Sequence, residues 1–180
     1  MKTTDFTATI VADHTPEEAF RAVNNVRGWW SEEIEGNTDK PGDVFDYHFE
    51  DIHRCKVKLI EVVPNKKVVW QVMENYFKPG IFGAAAHPIP GGDGFDKAEW
   101  VDTTIVFEIS VKDNKTQIRF THLGLVPEYE CFEVCSNGWN HYIRESLLSL
   151  IATGKGQPNS TDKPMTTDEE KFHAAAGRAQ

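Results

Sequence analysis

The longest apolar stripe in the chain lies between Glu128 and Thr153. Hydrophobic side chains recur there at steps of three and four residues, as one face of a helix requires. Gly154 follows, a residue that readily adopts the positive φ with which many helices end. We therefore predict an amphipathic helix of about seven turns over 128–153. Its inward face comprises Phe132, Cys135, Trp139, Tyr142, Ile143, Leu147, Leu150 and Ile151.

Upstream of this segment, alternating patterns predict strands. Residues 6–12 alternate apolar and polar side chains and predict a first strand. Thr15-Pro16-Glu17-Glu18 then combines an N-cap, a helix-starting proline and a capping-box glutamate, so a helix begins there. The order strand, helix, antiparallel strands and long helix belongs to the α+β class. The later strand and hairpin runs are Val44–Phe49, Cys55–Val63 with Val68–Met73, and Trp100–Val111 with Thr116–Leu123.

Two stretches fall outside this pattern. Residues 76–99 are rich in glycine and proline, and predict either a flap over a site or a disordered loop. Residues 155–180 form a polar linker followed by a capping box at Thr167-Asp168-Glu169-Glu170. Because the apolar face after that box is thin, we expect the tail to fray or dock weakly. The chain therefore divides into a domain, 1–154, and a linker with a short tail helix, 155–180.

Composition narrows the classes of partner. The chain has 180 residues, with 19 basic against 28 acidic side chains and a formal net charge of −9. This charge disfavours binding to nucleic acid and to anionic membranes. The three cysteines are odd in number and lack a C-x-x-C spacing, which favours reduced thiols over a disulfide framework. With no hydrophobic signal core and no membrane-spanning run, we expect a cytoplasmic location.

Few residues form a recognisable catalytic or metal-binding pattern. His122 shares strand parity with Ile118 and Phe120, so we expect its side chain to point inward. Three roles are open for it there: a general acid/base, a hydrogen-bond donor to a ligand, or a hydrogen-bonded core histidine. His48 and His53 flank a turn, but their spacing matches no metal motif. The sequence therefore predicts no metal site and no cofactor, and it leaves open whether the protein is an enzyme.

Several segments resemble one superfamily. They are Thr15-Pro16-Glu17-Glu18-Ala19-Phe20, Trp29-Trp30, the paired hairpins, Thr121-His122-Leu123-Gly124-Leu125 and Gly138-Trp139. Together they are similar to the START-like, or SRPBCC, helix-grip superfamily, and to its branch related to the activator of heat-shock-protein ATPase. The resemblance covers roughly residues 5–154. It implies a curved antiparallel sheet wrapped around a long C-terminal helix, commonly with an apolar cavity between them.

If such a cavity exists, inward-facing residues of the sheet and helix should line it, although a filled core would use the same residues. We expect a protein that binds a small apolar or aromatic molecule. The alternative is a co-chaperone-like interaction module with a protein partner or a homodimer. A third hypothesis is a lyase or cyclase using His122 and Tyr142. The predicted lining is Trp70, Val72, Phe107, Ile109, Phe120, His122, Trp139, Tyr142 and Ile143.

Overall fold

The computed structural model describes residues 4–78, 100–129 and 131–175. Most of the predicted flap, 79–99, and the end of the tail, 176–180, lie outside these ranges. The strands of the described part are β1 Phe6–Ala12, β2 Glu35–Gly36, β3 Val44–Phe49, β4 His53–Val63, β5 Lys67–Phe77, β6 Thr104–Lys112 and β7 Lys115–Leu123. Its helices are α1 Pro16–Asn24, α2 Val26–Trp29, α3 Phe132–Trp139, a π-helical segment Asn140–Leu147, α4 Leu148–Thr153 and α5 Thr167–His173.

All seven strands form one antiparallel sheet in the order β1-β7-β6-β5-β4-β3-β2. The two predicted hairpins are β4–β5 and β6–β7. Strand β1 lies at the edge of the sheet and pairs antiparallel with β7, with Ile10 opposite Ile118. Trp100 lies ahead of β6 rather than within it, because the backbone turns at Asp102, whose φ is +64°. The α+β helix-grip fold is confirmed.

The long helix consists of α3, the π-helical segment and α4 in succession, 132–153. It begins four residues later than predicted and ends at Gly154, whose φ of +81° is the left-handed conformation expected there. Its middle two turns follow π-helical hydrogen bonding, which the apolar periodicity did not reveal. Ser146 in this segment is fully buried and donates to the Trp29 carbonyl oxygen at 2.7 Å, which ties the helix to α2.

The core lies between the concave face of the sheet and the long helix. Strand β1 alternates buried and accessible positions, as its sequence predicts. Helix α1 begins with the predicted capping box, in which Thr15 and Glu18 bond reciprocally. Among the residues that the structure describes, no helix is long and apolar enough to cross a bilayer.

Candidate functional site

The nine predicted lining residues are all buried, with exposed fractions of 0–6%. Seven of them pack into the core between the sheet and the helix. Trp70, for example, stacks on Trp29 at a ring distance of 6.1 Å and meets Phe107 edge-to-face at 4.8 Å. Trp139 and Tyr142 also line a cavity next to the tail, and Ile109 lines an open groove on the surface. A ligand-binding role for the nine therefore stays a prediction.

The cavity has a volume of about 70 Å³. It lies between the first half of the long helix, the β3–β5 side of the sheet and the tail helix α5. Eight of its sixteen lining residues are Phe, Trp or Tyr. The lining comprises Trp30, Tyr47, Phe49, Ile52, His53, Phe77, Trp100, Val134, Cys135, Gly138, Trp139, Tyr142, Thr166, Asp168, Glu169 and Phe172.

Aromatic rings in van der Waals contact form one wall of the cavity. Trp30 stacks on Tyr47 with a centroid distance of 4.1 Å, and Trp139 is tilted against Trp30 at 5.0 Å. Trp100 stacks on Trp139 at 5.7 Å and meets the His53 ring edge-to-face at 5.0 Å. This wall was only partly predicted. Tyr47 lies in the predicted strand Val44–Phe49, but no sequence signal placed it next to Trp30.

A buried hydrogen-bond network lies at another wall of the cavity. The Tyr142 hydroxyl donates to the Glu169 carboxylate, at 2.5 Å to Oε1 and 2.7 Å to Oε2. The Asn159 side-chain amide donates to the hydroxyls of Tyr142 (2.7 Å) and Tyr47 (3.1 Å) and to Glu169 Oε1 (3.1 Å). The hydroxyl of Thr166, which is the N-cap of α5, donates a hydrogen bond to Glu169 Oε2 at 3.3 Å and completes the network.

Burial governs the protonation of this network. Desolvation raises the pKa of Glu169, although the Tyr142 and Asn159 hydrogen bonds oppose that shift. Desolvation also raises the pKa of Tyr142, and the neighbouring Tyr47 and Glu169 add to the effect. Desolvation is also the largest cause of the raised pKa of Tyr47, and the negative charge of Glu169 raises it further. Both tyrosine hydroxyls therefore keep their protons and can donate hydrogen bonds at neutral pH.

The tail that carries Asn159 and Glu169 is docked onto the domain, so the expectation of fraying or weak docking is wrong. Asn159 is fully buried, and its backbone exchanges hydrogen bonds with the Trp30 carbonyl (3.0 Å) and the Glu32 amide (2.9 Å). At the far end of α5, His173 Nδ1 lies 2.6 Å from Glu50 Oε1. Polar contacts, which an apolar pattern does not reveal, therefore hold the tail in place.

His122 is fully buried and both of its ring nitrogens are engaged. Trp139 Nε1 donates to His122 Nδ1 at 3.1 Å, so Nε2 carries the proton and donates to Thr103 Oγ1 at 2.8 Å. Thr103 in turn donates to the Trp100 carbonyl oxygen. Burial lowers the pKa of His122 to about 3. In this arrangement His122 is a neutral, hydrogen-bonded core histidine that orients Trp139.

The two turn histidines do not come together. His53 is partly buried, its Nε2 lies 2.8 Å from Asn75 Oδ1, and desolvation lowers its pKa to about 4. His48 instead lies 3.4 Å from a Glu33 carboxylate oxygen. A different group, Glu50 with Asp162 and His173, has ligand-type atoms within 4.8 Å of one another. The Asp162 amide and the His173 ring both bond to Glu50 Oε1, so this group anchors the tail.

A larger open groove of about 830 Å³ lies on the outer side of the sheet. Its walls carry charges of both signs, including Arg54, Lys56, Asp46 and Glu74. Strand alternation turns such side chains away from the core, and mixed charges on an open sheet face are ordinary solvated surface. The aromatic cavity is therefore the candidate site, although its volume is smaller.

Comparison with known proteins agrees with the fold. The sequence model for activator of Hsp90 ATPase homolog 1-like proteins matches residues 13–152, more than three quarters of the chain. This chain belongs to that family. No curated relative matches it. The family match ends at residue 152, so the tail residues Asn159 and Glu169, which line or support the cavity, lie outside the region that defines the family.

Solved structures show the same fold at low identity. The Aha1 dimer from Colwellia psychrerythraea is 22% identical, with a TM-score of 0.63, covering 85% of this chain and 99% of that one. Protein MLL2253 from Mesorhizobium loti is 15% identical, with a TM-score of 0.57 and coverage of 81% and 96%. CalU16 from Micromonospora echinospora is 11% identical, with a TM-score of 0.51 and coverage of 85% and 87%.

Proposed function

We propose that this protein binds a small, compact ligand with apolar or aromatic character in the cavity between the sheet, the long helix and the tail. The observation that carries the proposal is the lining, half of which is Phe, Trp or Tyr, with Glu169 and Tyr142 as polar groups. A few polar groups in an otherwise apolar cavity are typical of sites that orient a small molecule.

The volume limits the size of the ligand. A cavity of about 150 Å³ binds benzene in an engineered protein. The cavity in this chain, about 70 Å³, is roughly half as large. It therefore suits a group of a few heavy atoms, and a larger ligand would require α5 to move away from α3.

Catalysis is not part of the proposal. His122 has both ring nitrogens in hydrogen bonds, and the Tyr142 hydroxyl is bound to Glu169. Neither group is available to transfer a proton to a ligand without breaking these bonds. The lyase or cyclase hypothesis therefore has no supporting geometry in this arrangement.

The interaction-module hypothesis rests on the family and on the Colwellia psychrerythraea relative, which is described as a dimer. Association with a protein partner or a second copy of this chain stays a prediction. The tail is a poor candidate for the contact, because Asn159 and Glu169 are already buried against the domain.

The test compares the natural protein with a variant whose cavity is blocked. Gly138 lies on the helix face shared with Cys135 and Tyr142, and a Cβ placed there meets no atom within 4 Å. Gly138→Leu should therefore extend a side chain into the cavity and narrow it, and Gly138→Ala, whose Cβ has open space, is the matched control. Native mass spectrometry of the purified proteins should detect a bound small molecule on the natural protein and on Gly138→Ala, and none on Gly138→Leu. Equal spectra for all three proteins would refute the proposal.

A further inference from the structure

Glu169 is a buried carboxylate without a cationic partner. It is 9% exposed, and its hydrogen bonds come from the neutral groups of Tyr142, Asn159 and Thr166. No Lys, Arg or His side chain in the described ranges forms an ion pair with it. At the other buried carboxylate of the described chain, Glu50, a ring nitrogen of His173 lies 2.6 Å from Oε1.

A lone buried carboxylate is unfavourable unless something compensates its charge. The raised pKa of Glu169 expresses this cost, and desolvation is its largest cause. A cation bound beside the carboxylate would remove the cost. Next to it, Asn159 Oδ1 is a fully buried acceptor with no hydrogen-bond donor in the described part of the chain. Among the described residues, the Glu169 carboxylate therefore has no cationic partner, and the Asn159 Oδ1 atom has no hydrogen-bond donor.

The described residues of the cavity wall offer no such cation. Its lining contains the acidic residues Asp168 and Glu169 and no Lys or Arg. Its only histidine, His53, is fully neutral at physiological pH because burial lowers its pKa to about 4. The charge balance of the described lining is therefore negative, and a bound cation would supply the opposite charge there.

The aromatic rings in the wall favour the same kind of ligand. Trp30, Tyr47 and Trp139 line the cavity together with Glu169, and their ring centroids lie 4.1–5.0 Å apart in neighbouring pairs. Faces of Trp and Tyr attract organic cations within about 6 Å through the ring quadrupole. An organic cation that lies against these rings can also pair with the carboxylate in the same lining, whereas an uncharged hydrocarbon needs no carboxylate.

We propose that the ligand carries a compact alkylammonium group, which sits against Trp30, Tyr47 and Trp139 and pairs with the Glu169 carboxylate. This inference rests on the proposed ligand-binding function and specifies the chemistry of its ligand. The tail is then part of the binding site rather than an appendage, because it supplies the anion. The cavity volume of about 70 Å³ fits a headgroup of this size.

The test uses two probes of similar shape and different charge, trimethylammonium and tert-butanol. Binding is followed in ¹H–¹⁵N spectra through the indole resonances of Trp30 and Trp139. The Trp29 indole, which is buried and bonded to the Val23 carbonyl oxygen outside the cavity, is the internal reference. We expect trimethylammonium to shift the two cavity resonances and to bind at least about ten-fold more tightly than tert-butanol.

Two variants test whether the preference for trimethylammonium over tert-butanol depends on the Glu169 carboxylate. Glu169→Gln removes the charge and keeps a hydrogen-bond acceptor for Tyr142, and Glu170→Gln neutralises the adjacent, exposed carboxylate. Glu169→Gln should abolish the preference for the cation, and Glu170→Gln should retain it. A preference that survives Glu169→Gln would overturn the inference.

The natural protein alone also decides the question, so the test does not depend on a variant that folds. Equal binding of the two probes would overturn the alkylammonium inference and leave the proposed function standing. Binding of neither probe would overturn both.

Discussion

Replacing Tyr142 with phenylalanine tests the buried network that joins the tail to the domain. The substitution removes one hydroxyl and leaves the ring, so the cavity wall keeps its shape. The lost hydroxyl donates to Glu169 at 2.5–2.7 Å and accepts from Asn159 at 2.7 Å. All three side chains are at least nine-tenths buried, so solvent cannot replace the missing group without the tail moving.

The expected loss of stability follows from the free-energy cost of a buried polar group that has lost its hydrogen-bond partner. This cost is about 1–3 kcal/mol, and more when the group is charged. Glu169 keeps its contacts with Asn159 and Thr166, and Asn159 keeps its other acceptors. We therefore expect Tyr142→Phe to lower the free energy of unfolding by about 2–3 kcal/mol. For a chain of this length, that loss corresponds to a fall in Tm of about 5–10 °C.

The assay is urea unfolding at pH 7, followed by circular dichroism and tryptophan fluorescence. Tyr76→Phe is the control, because Tyr76 is only partly buried and its hydroxyl has no hydrogen bond among the described contacts. It should change stability by less than about 0.5 kcal/mol. A loss for Tyr142→Phe as small as that of the control would show that the network does not hold the tail.

Three further predictions concern local features of the fold. Thr15→Ala removes the side-chain cap of α1 and should cost about 1 kcal/mol in urea unfolding, whereas no loss would contradict the role of the capping box. Gly138→Ala should raise stability by up to about 1 kcal/mol, because alanine favours the helix and its Cβ has open space; a lower Tm would show a hidden clash. In the folded state the pKa of His53 is about 4 and that of His122 about 3, and both lie below the unfolded value of 6.5. The unfolded chain therefore binds protons more readily, so the stability is fully present above pH 6.5 and is lost as the pH falls. Between pH 7 and pH 5 the two together should cost about 3 kcal/mol, and His122→Gln should remove roughly half of this pH dependence; an unchanged dependence would refute the assignment.

The sequence predicts the fold well because its patterns are local. The strand at 6–12, the cap at Thr15 and the glycine after the long helix each depend on residues that are neighbours along the chain. The resemblance to the helix-grip superfamily then predicts how these elements are arranged in space. The π-helical turns were missed because the same apolar residues face inward in either kind of helix.

The site was predicted less well because periodicity identifies buried faces but not cavities. Strand alternation turns Trp70, Phe107 and Phe120 inward, as it would turn a residue that lines a cavity. In the structure, however, they pack against other aromatic rings. The decisive contacts join distant parts of the chain: Asn159 meets Tyr47, which is 112 residues away. A polar residue in a linker gives no sign in the sequence that it will be buried.

Xenon binding tests the central claim, that an accessible cavity lies beneath the tail, most directly. Xenon enters apolar cavities without needing a specific polar partner, and a site of about 70 Å³ can hold a single atom. In ¹H–¹⁵N spectra recorded under xenon pressure, we predict saturable shifts of the Trp30 and Trp139 indole resonances in the natural protein. The same shifts should be absent in Gly138→Leu. Unshifted resonances in the natural protein, or equal shifts in both proteins, would contradict the account.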